Sequence, residues 1–129
     1  MNIALNASTV LPSLASLGAR FEALSAEYDH AATICSGLID QSDKDLREAG
    51  IPYGSTEWSC RRFALCGAAI RTADALKMDL EELAMEIARH PVASIDDLAV
   101  KARAHLALHE PQAILTDIAN LQDRASATA

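Results

Sequence analysis

Between Pro12 and Asp40 the apolar positions fall at Leu14, Leu17, Phe21, Leu24, Tyr28, Ala31, Cys35 and Leu38. The steps alternate between three and four residues without a slip, which predicts one amphipathic helix over 13–39 with a coiled-coil-like stripe. Ile34 and Ile39 widen that stripe. Gly18 falls inside the helix but off the seam, at a cost of about 1 kcal/mol relative to Ala. A second stripe runs through Phe63, Cys66, Ile70, Ala73, Leu76, Leu80, Leu83 and Ile87. It contains one short step, so 57–90 reads as one long second helix whose continuity near Met78-Asp79 the pattern leaves open. No stretch alternates with the period of a strand.

Prolines and caps set the boundaries. Residues 1–12 read as an N-terminal arm and 40–56 as a loop, with a possible helical turn over Asp43 to Ala49 ended by Gly50. Ile51-Pro52-Tyr53-Gly54 has the residue order of a type I turn. Ser55 or Thr56 is placed to cap the second helix, and His90-Pro91 to stop it. Ser94 followed by Asp97 resembles a capping box for a third helix over 95–109. That helix is expected to turn Ile95, Leu98, Ala102 and Leu106 inward. Pro111 opens a fourth over 111–123, with Ile114, Leu115, Ile118 and Leu121 as its stripe, and 124–129 reads as a fraying tail. The expected fold is all-α in a single domain: a long antiparallel helical hairpin with two shorter C-terminal helices packed on it.

Composition supports this reading. The chain has 129 residues, with 26 Ala and 16 Leu against three Val and 4% aromatics. Ala and Leu lose little on entering a helix, and β-branched residues such as Val lose more. The net charge is −7, and residues 1–57 hold eight acidic groups against three basic ones. A basic footprint for direct nucleic-acid binding is missing, and an anionic membrane surface is disfavoured. The expected fourth helix is net negative, which argues against a DNA-reading helix-turn-helix. The first 19 residues lack charge, but no Lys or Arg precedes them and polar residues interrupt them, so they do not read as a secretory signal. Cys35, Cys60 and Cys66 are odd in number and have no C-x-x-C spacing. Free thiols in a cytoplasmic protein are the simplest account.

Little candidate chemistry is present. His105 and His109 are four apart, a spacing that lets two imidazoles share a metal on one helix face, and they are the weak candidate metal ligands. The sequence supplies no evident third ligand, so no metal or other cofactor is expected. Cys60 sits beside Arg61 and Arg62, which would favour a thiolate, whereas Cys35 and Cys66 lie on stripes as small buried residues. Arg61, Arg62 and Arg71 form a basic patch whose nearest partners in the chain are the acidic groups of the first helix and loop, Glu22, Glu27, Asp29, Asp43 and Asp45. Tyr53 and Trp58 flank the turn. Trp58 would ordinarily close the core, and an exposed Tyr53–Trp58 pair would form an interaction hot spot with Arg61 and Arg62.

Residues Ile87 to Arg103 carry a resemblance. Pro91, Ser94, Ile95, Leu98, Lys101 and Arg103 are similar in placement to a recurring pattern in small all-helical bacterial proteins of unknown function, often prophage- or mobile-element-borne. In that pattern a long helix ends, a Pro-x-x-Ser/Thr-Leu/Ile junction follows, and a helix bearing Lys and Arg begins. The resemblance implies an architecture and an origin, and carries over no site residues. The primary functional expectation is a non-enzymatic protein-interaction or adaptor protein acting as a homodimer. The alternatives are a small acidic inhibitor of a nucleic-acid-handling or defence enzyme, and a metal- or thiol-dependent enzyme using His105, His109 and Cys60.

Overall fold

The computed structural model describes residues 12–128, and all regular structure among them is helical. Helix α1 spans Leu14–Glu48, α2 Thr56–Ala88, α3 Ile95–Ala107 and α4 Pro111–Thr128. The arm expected over 1–12 lies outside the described residues except for Pro12. The chain divides into two compact units. Ala23–Leu80 contains the later part of α1, the turn and the earlier part of α2. The other unit combines the start of α1 with everything from Glu81 onward.

The caps formed as their residue types dictate. Ser13, Ser55 and Ser94 each accept a backbone N–H three residues on, from Ser16, Trp58 and Asp97, at 3.1 Å. Asp97 reaches back to the N–H of Ala93 at 3.0 Å, so the capping box closes one residue before Ser94. Gly50, with φ +74, ends α1 in a Schellman motif. The Ile51 N–H donates to the Leu46 carbonyl at 3.1 Å, and the Gly50 N–H to that of Arg47 at 3.0 Å. The same geometry brings Ile51 onto Leu46, and Trp58 completes this buried cluster at the head of the hairpin.

Helix α1 is longer than the sequence pattern predicts. Its inner face continues past Ile39 through Ser42 and Leu46, both buried, at the same three-and-four spacing. The polar run Asp40–Asp45 hides this face because the inward position falls on a serine. The turn differs too. Pro52 accepts the Ser55 N–H at 3.2 Å with Gly54 at φ +77, so the bonded turn lies one residue later than expected and uses glycine at its third position.

Helix α2 is continuous through Met78-Asp79. The predicted short step came from choosing the bulkiest residues. The line of buried and half-buried side chains runs through Arg62, Cys66, Ala69, Ala73, Leu76, Leu80, Leu83 and Ile87, alternating steps of four and three without a slip. Phe63 and Ile70 flank it, and Phe63 stands 66% exposed. The fourth helix also runs further than predicted, absorbing most of the expected tail, because residues 124–127 (Arg, Ala, Ser, Ala) contain no helix breaker.

In the unit containing the C-terminal helices, Leu14, Leu17 and Phe21 of α1 and Leu83, Ala84 and Ile87 of α2 are buried. Gly18 is buried because α3 passes directly over it. A methyl group at Gly18 would stand 2.9 and 3.0 Å from the two methyls of Val100. Val100 is β-branched and cannot swing aside cheaply. On the same side, Arg103 of α3 pairs with Glu22 of α1.

Gly18→Ala is therefore expected to destabilise the protein by about 1–3 kcal/mol through overpacking, despite the better helix propensity of Ala. Urea unfolding checks this. The double variant with Val100→Ala should lose less than the two single losses added together, and a stabilised Gly18→Ala would contradict the contact.

Candidate functional site

The most concentrated polar chemistry among the described residues lies inside the α3–α4 pair. Helix α3 turns Lys101, Ala104 and His105 inward, not Ile95 and Leu106, which are exposed. This corrects the predicted α3 stripe. The inward line runs Leu98, Lys101, His105, Leu108, and its steps are again three and four. Helix α4 likewise buries Asp117, with Ile114, Ile118 and Leu121 half-buried beside it and Leu115 exposed.

Lys101, His105 and Asp117 are 4%, 4% and 6% exposed, and Asp117 holds the other two. The Lys101 ammonium donates to Asp117 Oδ1 at 2.9 Å and to the backbone carbonyl of His90 at 2.5 Å. That carbonyl lies just beyond the end of α2, where a cation is favoured by the helix dipole. His105 Nε2 lies 2.7 Å from Asp117 Oδ2. A carboxylate oxygen only accepts, so Nε2 carries the hydrogen and donates. Nδ1 is buried with no hydrogen-bond partner among the described residues. One lysine thus ties α2, α3 and α4 together, and one carboxylate satisfies both side chains facing it.

The connection between α3 and α4 fixes this register. His109 has φ +58 and takes the place that glycine usually holds in a Schellman motif. The Glu110 N–H donates to the His105 carbonyl at 2.8 Å, and the His109 N–H to that of Leu106 at 3.1 Å. Pro111 then begins α4. Helix α3 ends at Ala107, so the four-residue spacing of His105 and His109 does not place them on one helix face. His105 points inward to Asp117 and His109 is exposed in the turn. No group of three His, Cys, Asp or Glu side chains among the described residues could hold a metal ion.

Chemically, this knot is satisfied at every group but one, the buried His105 Nδ1. Both carboxylate oxygens of Asp117 and the Lys101 ammonium are engaged within the fold. Its arrangement orients helices, and no hydroxyl or thiol stands among the atoms that bond to His105 and Lys101.

The residues singled out for interaction belong to the Ala23–Leu80 unit. Trp58 is 3% exposed and closes the Leu46–Ile51 cluster. Tyr53 is 80% exposed and meets the Trp58 ring edge-on at 5.1 Å. Arg61 pairs with Glu57 at 2.9 Å one turn back, and Arg62 lies 3.3 Å from Asp43 across the hairpin. Both arginines thus meet the acidic residues of their own chain. Cys60 is exposed, Cys35 half-buried and Cys66 buried.

The feature that the sequence pattern misplaced is Phe63. It lies over Gly67, where a methyl group would come within 3.2 Å of the ring, and the Arg71 guanidinium covers it at 5.5 Å. Ile39, Trp58, Ser59, Arg62, Phe63 and Ile70 line an open groove along this flank of the hairpin. A smaller depression on Leu38, Gln41, Ser42, Asp45 and Leu65 also lies in this unit.

The knot makes a quantitative claim. Lys101→Met leaves a buried carboxylate without its cation and is expected to cost about 3–5 kcal/mol. The triple variant Lys101→Met, His105→Leu, Asp117→Leu should lose less than Lys101→Met alone, since it leaves no buried charge unpaired. Thermal and urea unfolding of both decide the matter, and costs that simply add would contradict the coupling.

No helix among the described residues is long and apolar enough to cross a membrane. No family model, curated protein or solved structure matches the chain.

Proposed function

We propose that this chain is a non-enzymatic protein-interaction module whose contact surface is the Ala23–Leu80 hairpin and whose first partner is a second copy of itself. The observation that carries this reading is the exposure of large apolar side chains on that hairpin. Phe63 is exposed on the groove flank, Ile34, Leu38 and Leu65 on the opposite flank, and Met78 also stands exposed. Two helices bury one seam between them and leave both flanks open, and apolar flanks on a protein surface are characteristically covered by a partner. The inner seam is itself lean beyond the Trp58 cluster, with Cys66 and Ala73 as its buried side chains on α2 and half-buried residues between.

The polar knot supports the same division of roles. Its bonded groups are engaged in holding the end of α2, α3 and α4. A symmetric homodimer is the commonest way for one chain to cover such a surface.

Light scattering across a dilution series tests the reading. At tens of micromolar the mass is expected at twice the chain mass of 13.7 kDa, falling toward one chain on dilution. A single-chain mass throughout would contradict it.

A further inference from the structure

The two halves of the hairpin differ in charge. Within Ala23–Leu80, the α1 part carries six acidic residues (Glu27, Asp29, Asp40, Asp43, Asp45, Glu48) and two basic ones, Lys44 and Arg47. The α2 part carries four basic residues (Arg61, Arg62, Arg71, Lys77) and three acidic ones, Glu57, Asp74 and Asp79. Placing α1 against α1 of a second copy would oppose two strongly acidic helices. Placing α1 against α2 of the second copy joins unlike charges, which sets orientation and partner choice.

Shape points the same way. The groove flank of α2 presents the exposed Phe63 ring and the half-buried Ile70, with Arg71 over the ring. The α1 flank that opens onto this groove at Ile39 continues at helical spacing through Ser36, Ala32 and Asp29. It is therefore flat, built from small side chains, and bordered by Asp29, Asp40 and Asp43. A projecting aromatic with a neighbouring arginine on one side, and a small-residue acidic face on the other, are complementary surfaces.

Resting on the proposed self-association, we infer that two copies join through this flank about a two-fold axis parallel to the helices, with α1 of each copy seated on the Phe63 face of α2 in the other. This arrangement makes a four-helix bundle in which every neighbouring pair is antiparallel. It also repeats the register of the hairpin itself, where Arg62 lies opposite Asp43 and Trp58 meets Leu46. In that register Lys77 of one copy comes level with Asp29 of the other.

The test uses the full chain and reads dimer dissociation by light scattering or sedimentation, with circular dichroism to confirm the helices. Phe63→Ser removes an exposed side chain and is expected to weaken the dimer at least about tenfold. Lys77→Glu and Asp29→Lys should each weaken it, and an equimolar mixture of those two variants should bind more tightly than either alone. Each variant chain then meets its complement at both symmetric contacts. A dimer unaffected by Phe63→Ser, or a mixture no tighter than its components, overturns this arrangement while leaving self-association standing. A wild-type chain that stays single overturns both.

Discussion

The Lys101 ammonium is the contact on which the C-terminal half of the fold depends. It sits between Asp117 of α4 and the carbonyl that follows α2, while projecting from α3. A buried ammonium is strongly unfavourable unless its partners are fixed, so three helix positions are determined together. His105 takes the second oxygen of Asp117 and leaves that carboxylate no reason to turn elsewhere. Such a knot adds less to stability than apolar packing could, but it distinguishes one rotation of α3 and α4 from its neighbours. A rotation of α3 by one residue would strand three charged or polar groups.

The hairpin is built on the opposite terms. Along its middle the inner seam relies on small residues, Cys66, Ala69 and Ala73 on α2 and Ala31, Cys35 and Ser42 on α1, with larger side chains such as Trp58, Leu46, Leu76 and Leu80 toward its ends and others on its flanks. Small residues let the two helices approach, and the area they bury is modest. The apolar area that a thicker core would have used is instead displayed at Phe63, Leu65 and Leu38. Within one chain, one half spends its buried charged groups on its own helices while Ile95, Leu106 and Leu115 stand exposed on it, and the other half displays apolar side chains on the flanks of a lean seam.

Much of the architecture was legible in the sequence. The unbroken stripe from Leu14, the caps at Ser55 and Ser94 with Asp97, and the glycine after α1 each act through local chemistry. What escaped were places where residue type and position disagree. Ser42 occupies an inward position and so concealed nine residues of helix, 40–48. Lys101 and His105 occupy the inward face of α3 because their partner, Asp117, lies sixteen and twelve residues further on. Their spacing from Leu98 and Leu108 was a usable signal, since three-and-four steps persist through them. Phe63 and Ile70 drew the α2 stripe off line by their size. The correct seam passes through Arg62 and Ala69, which no hydrophobicity count would select. His109 could not signal its left-handed conformation, because that place is usually glycine.

The central claim is that the knot fixes one unit and leaves the hairpin to make contacts. Amide hydrogen exchange, measured on the wild-type chain at low and high protein concentration, tests it most directly. The account predicts that added protection at high concentration is confined to the hairpin flanks, around Asp29–Asp43 and Ser59–Lys77, with α3 and α4 unchanged. Protection gained mainly over Ile95–Thr128, or no change anywhere across that range of concentration, would contradict it.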